Sequence, residues 1–249
     1  MIISTLVQSN SRLSRFLRNL LGGKPRHPAL QRNHEHFVEM DQERPLTDYN
    51  FVVLDTELTG LTPARDEIVS IGAVRIRDLS LDPGSNFYSL VHPRGPMPKL
   101  STLIHRITPD EVKKAPHLHE VLPEFIEFCG DSLLVAHHVG LDMSFLNRAS
   151  RSILGAHLMN PCIDTLRLAQ VYQAELWENY YDQYELKVSY NLRELSKSYG
   201  LPLFPEHNAM QDALQTAYLF LFLVKKLKHG GIETLKDLYM AGRSWRWYF

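Results

Sequence analysis

Cysteine is scarce: among 249 residues there are only Cys129 and Cys162, each in an apolar context and without C-x-x-C spacing. That excludes a disulfide framework and a cysteine zinc site, and it makes a reducing, cytoplasmic setting the expectation. Long apolar runs are missing too, none approaching the roughly 20 residues that cross a bilayer. Neither sign of charge dominates, the formal net charge being −1. Global attraction to a polyanion is thereby removed, and any grip on nucleic acid has to come from local Lys/Arg clusters. Residues 1–34 lack Asp and Glu altogether, yet they carry Arg12, Arg15, Arg18, Lys24, Arg26 and Arg32.

What is present is ordinary for a soluble globular protein, 44% hydrophobic and 22% charged, with room for one catalytic domain of about 180 residues. We divide the chain into a basic extension with linker at 1–47, a catalytic domain at 48–230, and a C-terminal helix with an aromatic tail at 231–249. In the extension, Leu13, Phe16, Leu17, Leu20 and Leu21 recur at helical spacing opposite the arginines, and Gly22-Gly23 follows. A short basic amphipathic helix is expected there, suited to an anionic surface, a protein partner's groove, or docking on the domain. Its acid-free, Arg-rich composition also matches a mitochondrial transit peptide, whereas interrupting arginines argue against a secretory signal.

The most informative motif is Asp55-x-Glu57, which ends the apolar run Phe51-Val-Val-Leu54 and precedes Leu58-Thr59-Gly60. Residues i and i+2 of a strand share a face, so the two carboxylates project side by side. At such a distance they repel by roughly 4 kcal/mol at an effective dielectric near 20, and a hard divalent cation is the natural occupant. Two further acidic segments follow apolar or helical stretches: Asp142 after Leu133-Leu-Val-Ala136, and His207-Asn-Ala-Met-Gln-Asp212.

Together Asp55/Glu57, Asp142 and His207/Asp212 resemble the three motifs of the DEDDh exonuclease family, which includes the proofreading epsilon subunit of replicative DNA polymerase and RNase T. The likeness covers roughly residues 50–228. It implies an α/β, RNase H-like fold with a mixed five-stranded central sheet flanked by helices. It also implies a metal-dependent 3′-to-5′ exonuclease acting on DNA 3′ ends, single-stranded, and releasing nucleoside 5′-monophosphates. In the family's scheme Asp55, Glu57, Asp142 and Asp212 hold two Mg²⁺ or Mn²⁺ ions, and His207 is the general base toward the attacking water. Leu58, Thr59, Gly60 and His105 would receive the terminal nucleotide. Arg106 and His138 depart from the Gly and Asn that relatives usually show, and Leu141 from a usual Phe.

Alternation places the motifs on structure. Phe51–Leu54, Glu67–Ile76 and Asn86–Val91 read as an antiparallel meander whose last turn is Asp82-Pro-Gly84-Ser. Thr108-Pro-Asp-Glu111 reads as a capping box, and Leu118–Cys129 as an amphipathic helix. Leu133–Ala136 and Cys162-Ile163 read as strands, and 166–172, 191–199 and Ala209–Lys228 as helices. Candidate zinc pairs His34/His36, His117/His119 and His137/His138 lack finger or protease spacing and are expected to be surface or capping histidines. The cluster Trp177, Tyr180, Tyr181 and Tyr184 lies among acids and reads as a packing face.

Two other functions fit the same residues. An exoribonuclease like RNase T or oligoribonuclease would use the same acids, because they do not distinguish the sugar. A non-catalytic binding module on this fold would be expected to have lost one of the five motif residues, and all five are here,. Only 37 residues follow Asp212 in the sequence, so a stand-alone repair or turnover nuclease is favoured over a proofreading subunit.

Overall fold

Phe51-Val-Val-Leu is apolar on both sides because its strand lies at the centre of a sheet covered on both faces, where alternation disappears. In the computed structural model, which describes residues 25–37, 40–178 and 189–242, that strand is β1, Phe51–Leu58. β2 (Ile68–Arg77), β3 (Ser80–Leu90), β4 (Leu133–Ala136) and β5 (Cys162–Asp164) complete one sheet in the order β3-β2-β1-β4-β5. β1 pairs antiparallel with β2, and β2 with β3. It pairs parallel with β4, and β4 with β5. The helices are α1 (Pro28–His36), α2 (Lys99–His105), α3 (Pro109–Val112), α4 (Leu118–Cys129), α5 (Val139–Leu154), α6 (Thr165–Glu178), α7 (Leu192–Ser198), α8 (Ala209–Lys228) and α9 (Leu235–Gly242).

The period of two in β1 divides the molecule. Val52 and Leu54 point into a core built with α4 and α5, around Phe125, Ile126, Met143 and Leu146. Phe51 and Val53 point into a second core built with α6 and α8, where the Phe51 and Phe220 rings lie 5.0 Å apart. Continuing the count, Asp55 and Glu57 fall on the α8 face and Thr56 on the α5 face. Leu30 of α1 is buried in the first core, and Asn33 Nδ2 donates to Asn160 Oδ1 at 2.6 Å. Ile232, Leu235 and Leu238 are buried in the second.

Three details differ from the reading of the sequence. β1 does not stop at Leu54 but runs on through both acids to Leu58. The β2–β3 turn is not at Asp82-Pro-Gly84-Ser: it falls at Asp78-Leu79, both in the left-handed region with φ 49° and 51°. The Pro-Gly segment instead occupies a bulge within β3, where the register slips between Val74 and Ile76. β3 is an edge strand, so a proline without an N–H is tolerated there. α6 is also longer than the stretch 166–172 read from the sequence. The basic helix expected before Gly22, the side chain of Trp177, Tyr180–Tyr184 and the tail Trp245–Phe249 lie outside the described residues or side chains.

Candidate active site

Asp55 and Glu57 meet Asp212 because α8 begins on the same face of the sheet. One residue makes that approach fit: Gly72 of β2, paired with Asp55. A Cβ at Gly72 would lie 2.3 Å from the backbone carbon of Ala209, so any side chain would push the start of α8 off the sheet,. Asn208 caps α8, its Oδ1 accepting from Gln211 N at 3.2 Å, while its own N–H donates to Asp212 Oδ2 at 3.1 Å,. As a result Asp55, Glu57 and Asp212 each offer an oxygen within 4.8 Å of the others. They are the one such group of three His, Cys, Asp or Glu side chains among the described residues.

Asp142 arrives from the opposite face. It lies in the first turn of α5, buried, with Oδ1 accepting from Thr56 N at 3.0 Å and Thr56 Oγ1 at 2.7 Å. It therefore stands outside the close trio, although its charge still acts on Asp55 and Glu57.

The electrostatics are those of carboxylates crowded together without a cationic partner among the described residues. Burial, followed by the charges of Asp142, Asp212 and Glu57, holds the Asp55 carboxyl well above the usual carboxylate range. Burial and then Asp212 and Asp142 push Glu57 up to about 8. Asp142 is raised by burial to about 7, with the Thr56 hydrogen bonds opposing. Asp212 is raised by burial against the pull of the Asn208 and His207 backbone N–H groups. None of the four forms an ion pair with Lys or Arg among the described residues. All-oxygen donors that cannot share a space as anions fit a hard divalent cation.

Around this centre His207 is exposed, in the loop before α8, with a left-handed φ of 62°. Leu58 and Thr59 are buried, and Thr59 Oγ1 accepts from Glu67 N at 2.9 Å. Gly60 has a structural reason of its own, since a Cβ there would lie 2.5 Å from Asp66 Oδ2, the acceptor of Thr62 N. His105 ends α2, where its Nδ1 accepts from Ile107 N at 3.0 Å and its buried Nε2 has no partner among the described residues. Burial and the nearby charge of His207 lower its proton affinity. α2 also exposes Leu100 (71%) and Leu103 (76%), apolar surface on the helix that ends in His105.

The sequence reading missed Thr56, Asn208, Gly72 and Tyr88. Burial, Glu111 and Glu57 together raise the Tyr88 hydroxyl. Only Asn208 had a local signal, an Asn immediately before a helix.

Two of the three residues that break the family pattern, Arg106 and His138, sit in strained backbone. Arg106 closes α2 at φ 60° and His138 precedes α5 at φ 63°. Those are left-handed positions, which Gly and Asn occupy more cheaply.

A mixed five-stranded sheet with carboxylates gathered at the end of its central strand defines a nuclease domain of RNase H-like fold. The RNase T exonuclease family profile matches residues 52–220, and the chain belongs to that family of exonucleases. It is 37% identical over 195 residues to a DNA polymerase III subunit epsilon-like protein of Rhodobacter capsulatus, covering 77% of this chain and 26% of that one. It is 35% identical over 189 residues to the PolC-type DNA polymerase III of Caldanaerobacter subterraneus subsp. tengcongensis, covering 76% of this chain and 12% of the polymerase. The chain thus spans 26% of one of these relatives and 12% of the other. Among solved structures, exonuclease X in complex with 5′-overhanging duplex DNA superposes with a TM-score of 0.56 at 24% identity, covering 77% of this chain and 99% of that one. E. coli exonuclease I with a dA16 oligonucleotide gives 0.66 at 17% identity, covering 79% and 44%. At those identities the likeness concerns the fold.

Proposed function

We propose that the domain hydrolyses phosphodiester bonds from the 3′ ends of DNA, single-stranded at the reacting end, and releases nucleoside 5′-monophosphates with two Mg²⁺ or Mn²⁺ ions as cofactors. The observation that carries the reading is the convergence of Asp55, Glu57 and Asp212 within 4.8 Å, on an all-oxygen site with raised proton affinities. Bound divalent cations would supply Lewis acidity toward the attacking water and the departing 3′ oxygen.

The chain's own residues do the rest. Asp55, Glu57, Asp142 and Asp212 would hold the cations, Asp142 being fixed by its hydrogen bonds from Thr56. His207, exposed and outside the rigid helix, takes the proton from the attacking water. Its loop position permits movement without disturbing Asp212, whose carboxylate is tied to backbone N–H groups. Leu58 and Thr59, with Gly60 and His105, line the place for the terminal nucleotide. DNA rather than RNA is supported by the two relatives named as DNA polymerase III proteins. We take 48–230 as the catalytic unit, with flanking helices packed on it.

The test is digestion of matched DNA and RNA oligomers, labelled at either end, with Mg²⁺, Mn²⁺ or EDTA. The expected result is metal-dependent shortening of 5′-labelled DNA in single-nucleotide steps, and mononucleotide as the first product from 3′-labelled DNA. Internal cuts, EDTA-resistant cleavage, or a preference for RNA would overturn the corresponding part of the reading.

A further inference from the structure

A concave surface lies on the face of the sheet opposite the acidic trio. A groove of about 510 Å³ runs between the β1–β2 loop, the segment His92–Arg94, the start of α4 and the outer side of α5. We infer that this groove holds the phosphodiester backbone of the nucleic acid whose 3′ end occupies the acidic centre. The inference rests on the exonuclease reading above and adds where the rest of the substrate lies.

Charge is the first reason. Arg65, Arg94 and Arg148 line the groove together with His92, His117 and His119, against two carboxylates, Asp66 and Glu67. Glu67 Oε2 is occupied by the backbone N–H groups of Arg94 and Gly95, both at 2.8 Å. Asp66 Oδ2 accepts from Thr62 N at 2.8 Å and lies 3.5 Å from Arg65 Nε. Arg94 and Arg148 are exposed and form no ion pair among the described residues. In a chain of net charge −1, two such guanidinium groups on one cavity are cations without an internal partner. Their planar forks match phosphate oxygens.

The histidines point the same way. The His92 and His117 rings are 4.8 Å apart, and His117 stacks on His119 at 5.7 Å. His92 Nδ1 is bound to Val112 O at 2.8 Å. No three ligand atoms among them come close enough to hold a metal, since the acidic trio is the one such group among the described residues. They form instead a wall in which His117 and His119 stack and His92 stands edge-on to His117, above an apolar floor of Ile68, Val91 and Phe145.

Continuity with the site is the third reason. Thr59 N donates to Glu67 O at 2.8 Å and Glu67 N to Thr59 Oγ1 at 2.9 Å, so the proposed nucleotide contact and the groove wall are one hydrogen-bonded unit. Leu58 pairs with Ile68 of the groove floor. Along α5, Asp142, Phe145, Ala149 and Ser152 recur at three- and four-residue spacing on one side, leading from the acidic centre to the groove. Arg148 is six residues past Asp142, about 9 Å along the helix axis, roughly the rise of two to three nucleotides of a B-form strand. A polyanion repelled by four carboxylates has to be held from beyond them, and this groove lies at that distance.

The test is binding of a 5′-labelled dT20 oligomer and of a duplex with a 5′ overhang, followed by fluorescence anisotropy in EDTA over a salt series. Wild type is compared with Arg94→Gln/Arg148→Gln, with His117→Ala/His119→Ala, and with the surface control Arg77→Gln; thermal melts report folding. The arginine pair is expected to weaken binding at least 10-fold and to lower the salt slope by about 1.4, two phosphates at about 0.7 each on a single strand. The control is expected to change neither. A larger loss on duplex than on dT20 would assign the groove to the complementary strand, and an equal loss to the reacting strand. Unchanged affinity and slope in the folded variants would overturn the inference, as would displacement of dT20 by millimolar inorganic phosphate alone. Hydrolysis of dT20 by wild type in Mn²⁺ separates the two readings. Cleavage with no groove effect sinks only the groove, whereas a groove effect without cleavage sinks only the exonuclease.

Discussion

Replacing Glu57 with Gln should make the metal-free protein more stable at pH 8 and leave it unchanged near pH 4.5. Glu57 is buried, and burial with the charges of Asp212 and Asp142 pushes its carboxyl from 4.5 up to about 8. Between those values the folded state keeps a proton that the unfolded state has released. Stability therefore falls as pH rises through that window, and it is fully retained only below it. At about 1.4 kcal/mol per pH unit the gap of 3.5 sets an upper bound near 5 kcal/mol. Side-chain relaxation and joint titration with Asp55, Asp142 and Asp212 lower what one substitution recovers, so about 1–2 kcal/mol is expected. For a domain of this size that corresponds to roughly 2–8 °C in Tm. The amide keeps the shape of Glu57 without the charge, so little packing is lost. The assay is calorimetry in EDTA at pH 5, 6, 7 and 8 on wild type and variant. Excess Mn²⁺ at pH 8 should then raise the wild-type Tm more than that of the variant, because the ion binds only the folded site. A variant that melts below wild type at pH 8 in EDTA, or a gap independent of pH, would refute the account of repelling carboxylates.

Three more outcomes follow from particular side chains. His207→Asn should retain Mn²⁺ binding, lose about 10²- to 10⁴-fold in single-turnover rate, and flatten the ascending limb of the pH–rate profile; a modest loss with the limb intact would remove His207 as the base. Gly72→Ala puts a Cβ 2.3 Å from the Ala209 backbone, so we expect about 1–3 kcal/mol of destabilisation by denaturant titration. Its activity should also fall as Asp212 shifts, whereas wild-type stability and rate would show that α8 does not rest on this glycine. Arg106→Gly relieves a left-handed residue at φ 60° and should raise stability by about 0.5–1 kcal/mol, unless Arg106 makes a compensating contact with substrate, in which case affinity falls.

How far the sequence reached depended on the range of the interactions involved. The helix Ala209–Lys228 and the capping box at Thr108 and Glu111 agree with the structure, because caps and periodicity act within one or two turns,. The side-by-side projection of Asp55 and Glu57 follows from the period of two in any strand. Where local signals competed, the reading went astray. Asp82-Pro-Gly84-Ser has turn chemistry, but cross-strand pairing along β2 absorbed it as a bulge and moved the turn to Asp78-Leu79.

By itself the sequence determined the alternation that sends acids to one face of a central strand, the start of the helix bearing Asp212, and the set of carboxylates available to a cation. Tertiary structure alone decided which of them meet. Asp212 reaches Asp55 and Glu57 because Gly72 leaves room for the backbone of Ala209, and Asp142 is fixed by hydrogen bonds from Thr56 where its charge acts on Asp55 and Glu57. It also brought arginines and histidines from four separate segments onto one groove. Those choices rest on contacts between residues distant in the chain, whose geometry depends on how two helices and a twisted sheet pack, and no local pattern of residues encodes that.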